Sequence, residues 1–195
     1  MSADHRPTIA TAIPGLCPSL RAKDRHYARG VATATVDLLC RAWPSVPAEN
    51  LHIHVATSLF TWNPQGSVDL WKDDDGKITR RRLTLSLPIL PVLQLLIALR
   101  LLSPWTVPLI VIHELAHLFE RSGEGNDEGC WVDEEVEHGR GWRIRVVRLT
   151  RVVVPELAFK IVPPARESYH DFVRRFQDRL ACEPVPPSLT FGGGA

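Results

Sequence analysis

Val111-Ile112-His113-Glu114-Leu115-Ala116-His117-Leu118-Phe119 decides how the chain is read. The run is apolar apart from two histidines and one glutamate. No proline falls between Leu109 and Ser122, and the spacing predicts an α-helix. At about 100° per residue, His113 and His117 stand about 40° apart and one turn along, with Glu114 inside the same arc of roughly 100°. Val111, Ile112, Leu115, Leu118 and Phe119 take the opposite arc, which would seat the helix in a core. Two imidazoles so placed can share one Zn²⁺, and a carboxylate beside them can take the proton of a water that the metal activates. An amphipathic helix carrying these residues by accident is the bland alternative. The helical context makes a metal site the stronger reading.

A catalytic zinc needs a third protein ligand and leaves its fourth position to water. One pattern, a histidine six residues after the second and following a glycine, is absent, since positions 120 and 123 are Glu120 and Gly123. Two sources remain: a later glutamate (Glu134, Glu135 or Glu137), or the histidine of His138-Gly139-Arg140-Gly141-Trp142. His138 is preferred, because neutral imidazole is the commonest metal ligand. Without His113 and His117 it would read as a solvated loop histidine.

His113-Glu114-Leu115-Ala116-His117, a polar loop, and then His138-Gly139-x-x-Trp142 resemble the SprT-like zinc metallopeptidases, the group that includes Spartan. The resemblance covers about Asp24 to Leu149, with its specific motifs confined to His113–Trp142. It implies that His113, His117 and His138 hold zinc, that Glu114 is the general base, and that the substrate is a protein or peptide, with action on DNA-associated proteins. It also implies a strand, here about Arg81 to Leu87, ahead of the active helix. The chain departs from many bacterial relatives in having no Cys-x-x-Cys pair for a zinc ribbon, and Pro91–Pro104 is longer and more apolar than that pattern leads one to expect. Two other classes stay open. One is a glutamate-liganded peptidase resembling the ImmA/IrrE type. The other is a non-catalytic zinc-binding interaction module, against which Glu114 argues, because a structural zinc has no use for a general base.

Outward from this centre, 195 residues make one domain with tails, expected as a flexible 1–22, a metallopeptidase domain 23–183 and a disordered 184–195. A formal net charge of +1 marks neither an acidic nor a basic partner. Cys17, Cys40, Cys130 and Cys182 form no ligand pair, and no secretory address precedes Leu20, so reduced thiols and a cytoplasmic location are expected.

Asp24 to about Trp43 has helical spacing, with Tyr27, Val31, Thr35, Leu38 and Leu39 as its stripe and Pro44 as its stop. Leu51–Val55 alternates as a strand, with His52 and His54 on one face. Ser67–Trp71 and Ile78–Leu87 read as a hairpin turning at Asp73-Asp74-Asp75-Gly76. In the second strand Leu83, Leu85 and Leu87 take the core face, and a strand before a zinc helix is where an extended substrate can pair. Between Pro88 and Ile112, four prolines, Gln94 and Arg100 interrupt an apolar stretch, so no integral membrane span is expected. Val92–Leu102 reads as a short buried helix, with a membrane-surface or partner role as the lesser alternative, and Thr106 as the N-cap of the active helix.

Glu120–Glu137 carries eight carboxylates and three glycines, a length and composition that suggest a lid. The sign then reverses through Arg140, Arg143, Arg145, Arg148 and Arg151. On a helix Arg140, Arg148 and Arg151 fall within about 80°. A solvated basic face is the favoured reading and a weak DNA contact the functional one. Glu167–Leu180, with Tyr169, Phe172, Phe176 and Leu180 in step, predicts a closing amphipathic helix. Arg140, Arg143 and Tyr169 are the candidates for oxyanion or substrate contact. The expected fold is α+β: a small, mainly antiparallel sheet of about three strands packed on helices, zincin-like, with the His-Glu-x-x-His helix upon it.

Overall fold

Leu83, Leu85 and Leu87 alternate with Arg82, Thr84 and Ser86, and the three leucines are fully buried. They belong to the longest strand of the computed structural model, which describes residues 8–9, 17–44, 51–76, 78–122, 138–162 and 167–189. The elements in chain order are β1 (Thr8–Ile9), α1 (Pro18–Ala42), β2 (Leu51–Ser58), β3 (Gln65–Lys72), β4 (Ile78–Pro88), α2 (Leu90–Ala98), α3 (Thr106–Ser122), α4 (Arg140–Val153) and α5 (Tyr169–Ala181), then a 3₁₀ turn at Pro187–Leu189. The class is α+β.

The sheet runs in the order β1-β2-β4-β3. β4 pairs with β3 antiparallel and with β2 parallel, Leu51 facing Arg81 through to Ser58 facing Pro88. β1 adds a short parallel pairing, Thr8 with His54 and Ile9 with Val55. The sheet is therefore mixed, and the expectation of a mainly antiparallel one is corrected. The reason lies in Leu59–Pro64, which carries the chain from β2 across a slot about 10 Å wide, two strand spacings, before β3 begins. β4 turns back from β3 at Asp73–Gly76 and fills that slot. Gly76 takes φ +77° there, and its N–H donates to Asp73 O at 3.0 Å.

One face of the sheet is core. Ile53 and Val55 of β2, Val68 of β3 and the β4 leucines are buried against helices, with α1 on β2, α3 on β3 and β4, and α4 on α1 and α3. Losing the side chain of a buried leucine here, as in Leu85→Ala, would cost about 2–5 kcal/mol. α1 buries Tyr27, Val31, Thr35, Leu38 and Leu39, the stripe read from the sequence. Buried Asp24 joins three elements: its carboxylate accepts from Thr57 Oγ1 at 2.6 Å and from Leu90 N at 3.1 Å, placing negative charge at the amide end of α2.

Four boundaries differ from expectation. α1 begins at Pro18 and Thr8–Ile9 pairs with β2, so the stretch 1–22 is not wholly a tail; Leu189, buried in the core, likewise ties down part of 184–195. α2 stops at Ala98, because Arg100 adopts φ +58° and the N–H groups of Leu101 and Leu102 both donate to Leu96 O, which closes the helix. It is only half buried, with Leu95 exposed, as are Leu99 and Leu101 in the turn that follows. Thr106 lies inside α3 rather than capping it: Leu109 N already donates to Trp105 O at 2.8 Å. α5 matches its reading, capped by Ser168, whose hydroxyl accepts from Asp171 N at 3.1 Å. Among the described residues no helix is long and apolar enough to cross a membrane, and Cys17, Cys40 and Cys182 are free thiols. Cys130 lies outside the described residues.

Candidate metal centre and the cleft beside it

α3 buries Val107, Val111, Ile112, Leu115 and Leu118 and turns His113, Glu114 and His117 the other way. His138 arrives from the far side of the chain, immediately before Gly139, the N-cap of α4. The three Nε2 atoms converge: His113 to His117 at 3.2 Å, His113 to His138 at 3.2 Å and His117 to His138 at 2.9 Å. An ion bound tetrahedrally at about 2.0–2.1 Å holds its imidazole nitrogens roughly 3.3 Å apart, so this triangle is close to one face of such a site. The nitrogens cannot satisfy one another. Each Nε2 of a neutral ring is either donor or acceptor, and among three atoms of two kinds one pair must match like with like. A shared cation removes that conflict, and the group can hold a metal ion. Burial, and then the neighbouring imidazoles of His117 and His138, push the His113 pKa down to about 3, which keeps its lone pair available as a ligand.

Glu114 is buried, with Oε1 3.9 Å from His113 Nε2. Its side chain lies against Gly66 of β3. A methyl group at Gly66 would come within 2.6 Å of Glu114 Cδ and 2.7 Å of Oε1, so only a residue without Cβ lets this carboxylate lie where it does. Gly66 escaped the sequence reading. Its signal was a glycine inside an otherwise regular strand, which marks a close approach by another group.

His138 is held by its surroundings. It adopts φ +69°, unusual for a residue with a side chain, and its carbonyl accepts from Arg143 Nε at 3.3 Å. Arg143 is itself buried and fixed by Glu167, through the backbone carbonyl at 3.1 Å and the carboxylate at 3.5 Å. Glu167 also accepts from Arg175 Nε at 2.9 Å, which ties the assembly to α5. The Tyr169 ring stacks on the His138 imidazole, centroids 4.3 Å apart, and Trp142 meets the His113 and His138 rings edge-on at 4.9 and 4.7 Å. Such partners orient metal-binding imidazoles. Glu167 was the other residue that sequence reasoning passed over, since nothing local distinguishes it from a solvated glutamate.

The remaining sequence candidates divide. Tyr169 lines a cleft of about 690 Å³ that opens beside His113 and Glu114. Arg143 is committed to Glu167 and His138, and Arg140 is exposed at the start of α4. The arginines do not form one free face: Arg148 lies over the Trp43 ring, the Arg151 guanidinium donates to the carbonyls of Leu157 and Phe159, and Arg145 is buried. Glu134, Glu135 and Glu137 lie outside the described residues. β4 is paired along both edges, whereas β3 is one of the two edge strands of the described sheet and packs against α3. Comparison of the chain with protein-family models, with curated proteins and with solved structures finds no match.

Proposed function

We propose that the protein is a zinc-dependent endopeptidase of the SprT-like, zincin kind, hydrolysing peptide bonds of protein substrates. The observation that carries this reading is the convergence of three imidazole nitrogens with a buried carboxylate 3.9 Å from one of them, beside a cleft. Zinc, when bound by His113, His117 and His138, supplies a Lewis acid that acidifies water and polarises a carbonyl. Glu114 takes the proton of the attacking water and delivers it to the leaving nitrogen. Gly66 gives that carboxylate its room, and the Arg143–Glu167–Arg175 network steadies His138. Tyr169, the one of the three proposed contact residues that lines the cleft, donates its hydroxyl to the substrate oxygen as charge develops. An extended substrate runs alongside β3, an edge strand of the described sheet, in place of β4.

The proximity of His138 supports the histidine set over a glutamate from 134–137. Among the described residues, three donors beside a base, rather than four closed around an ion, support catalysis over a structural zinc. Extension to DNA-associated substrates rests chiefly on exposed Arg140, given how Arg148 and Arg151 are engaged. The test is Glu114→Gln: it should keep zinc and hydrolyse an unfolded protein about 10²–10⁴-fold more slowly. Wild-type activity in that variant would remove the hydrolytic reading.

A further inference from the structure

Among the described residues six large apolar side chains are markedly exposed, and they are not scattered. Phe60 and Trp62, 82% and 65% exposed, stand in the β2–β3 connection, directly before the Asn63–Gly66 segment that lines the cleft. Leu95, Leu99 and Leu101, 56%, 59% and 66% exposed, run along the outer side of α2 into the turn before α3, and Leu101 itself lines the cleft. The sixth, Trp71, lies under the guanidinium groups of Arg80 and Arg82. Five of the six thus belong to two segments that lead into the same cavity. Concentrated exposure of this kind marks a contact surface.

The cavity continues the same chemistry inward. Leu109 and Ile110 of α3 and Val173 and Phe176 of α5 line it together with His113 and Glu114. Its volume of about 690 Å³ is within the roughly 300–1,000 Å³ of sites that enclose a ligand. The lips carry little charge. Phe60–Gly66 holds no ionisable residue and Leu95–Leu101 only Arg100, unlike the lysine- and arginine-rich faces that bind anionic lipid.

We propose that the substrate of this site is a segment of unfolded polypeptide rich in large apolar side chains, gripped by the Phe60–Trp62 and Leu95–Leu101 lips and seated in the cleft between α3 and α5. The inference rests on the peptidase reading for its occupant. It explains why α2 and the turn after it carry Leu95, Leu99 and Leu101 on the solvent side: the surface has to match what folded proteins hide. A chain threaded past both lips brings its backbone alongside the β3 edge and its apolar side chains into the cavity.

The experiment reads binding on the zinc-loaded Glu114→Gln full chain, so it does not depend on turnover. Two fluorescein-labelled unstructured peptides of equal length and net charge are compared by anisotropy, one with alternating Leu and Phe and one with Ser and Asn at those positions. The apolar peptide should bind about tenfold or more tightly, the effect of burying one to two such side chains. The pairs Phe60→Ser/Trp62→Ser and Leu99→Ser/Leu101→Ser should each remove most of that preference while zinc content and circular dichroism stay unchanged. Equal affinity for the two peptides, or a preference that survives both lip variants, overturns the proposal. So does co-sedimentation with phosphatidylcholine–phosphatidylserine vesicles in place of peptide binding, which would make the lips a membrane surface. If wild type cleaves neither peptide yet the preference is present, the hydrolytic reading fails and the apolar site stands.

Discussion

Gly66→Ala probes the link between sheet and active helix. The added methyl would collide first with Glu114 Cγ and would lie 2.6 Å from Cδ and 2.7 Å from Oε1, where such atoms rest at about 3.5–4.0 Å. Gly66 does not use the left-handed region, so alanine suits its backbone. Pairing with Leu85 of β4 fixes one side of the contact and the α3 backbone the other, so the Glu114 side chain must move, by at least about 1 Å. A displacement of that size at a reacting group costs about 10²-fold. Stability should change little, because the gain of about 0.4–1 kcal/mol from a stiffer unfolded chain opposes an overpacking cost of about 1–3 kcal/mol. The assay is kcat on an unfolded protein, with zinc content and melting temperature measured in parallel. Activity should fall about a hundredfold with zinc retained, and adding Gly66→Ala to Glu114→Gln should cost nothing further, since both act on one group. A Gly66→Ala enzyme with wild-type kcat would refute the reasoning, as would loss of zinc together with activity.

Tyr169→Phe should keep zinc and lower kcat, with KM little changed; removal of an oxyanion donor costs about 10²–10³-fold, and an unchanged kcat would leave Tyr169 as a ring that only orients His138. The metal-free protein should lose stability in acid: the folded His113 pKa of about 3 lies below the ordinary value of 6.5, so the unfolded chain takes the proton more readily. That contribution is complete above about pH 6.5 and is lost as the pH falls towards 3; chemical denaturation at pH 7.5 and pH 5 should therefore differ more for metal-free wild type than for metal-free His113→Leu. With Arg148 and Arg151 already engaged, duplex DNA binding should show a log–log salt slope no steeper than about −1, the release expected of one phosphate contact. A slope near −3 in a salt titration would mean that all three arginines reach the backbone.

How much of this was legible in the residues depended on whether the signal was local. The 3.6-residue period of Val111–Leu118 set out α3 and the side on which His113, Glu114 and His117 stand, and strict alternation set out the core face of β4. Sheet order is not local: nothing in Ile78–Pro88 says that it inserts between β2 and β3, so the sheet was expected to be mainly antiparallel. The helical wheel put Arg140, Arg148 and Arg151 within one arc, but could not see the Trp43 ring or the two carbonyls that engage the latter two. α2 is apolar apart from Gln94, so periodicity could not tell its buried leucines, Leu90, Leu93 and Leu96, from exposed Leu95 or from Leu99 just after it. Gly66 and Glu167 matter through tertiary contacts alone.

The central claim is that His113, His117 and His138 together hold a metal ion. Its most direct test is metal analysis of the purified full chain and of its His138→Ala and His113→Ala variants, after dialysis against a weak chelator. Wild type should carry about one zinc per chain, held by three histidines with the fourth position left to water, and both variants should lose it to a comparable degree. Full zinc occupancy in His138→Ala would contradict it, and would move the third ligand elsewhere in the chain.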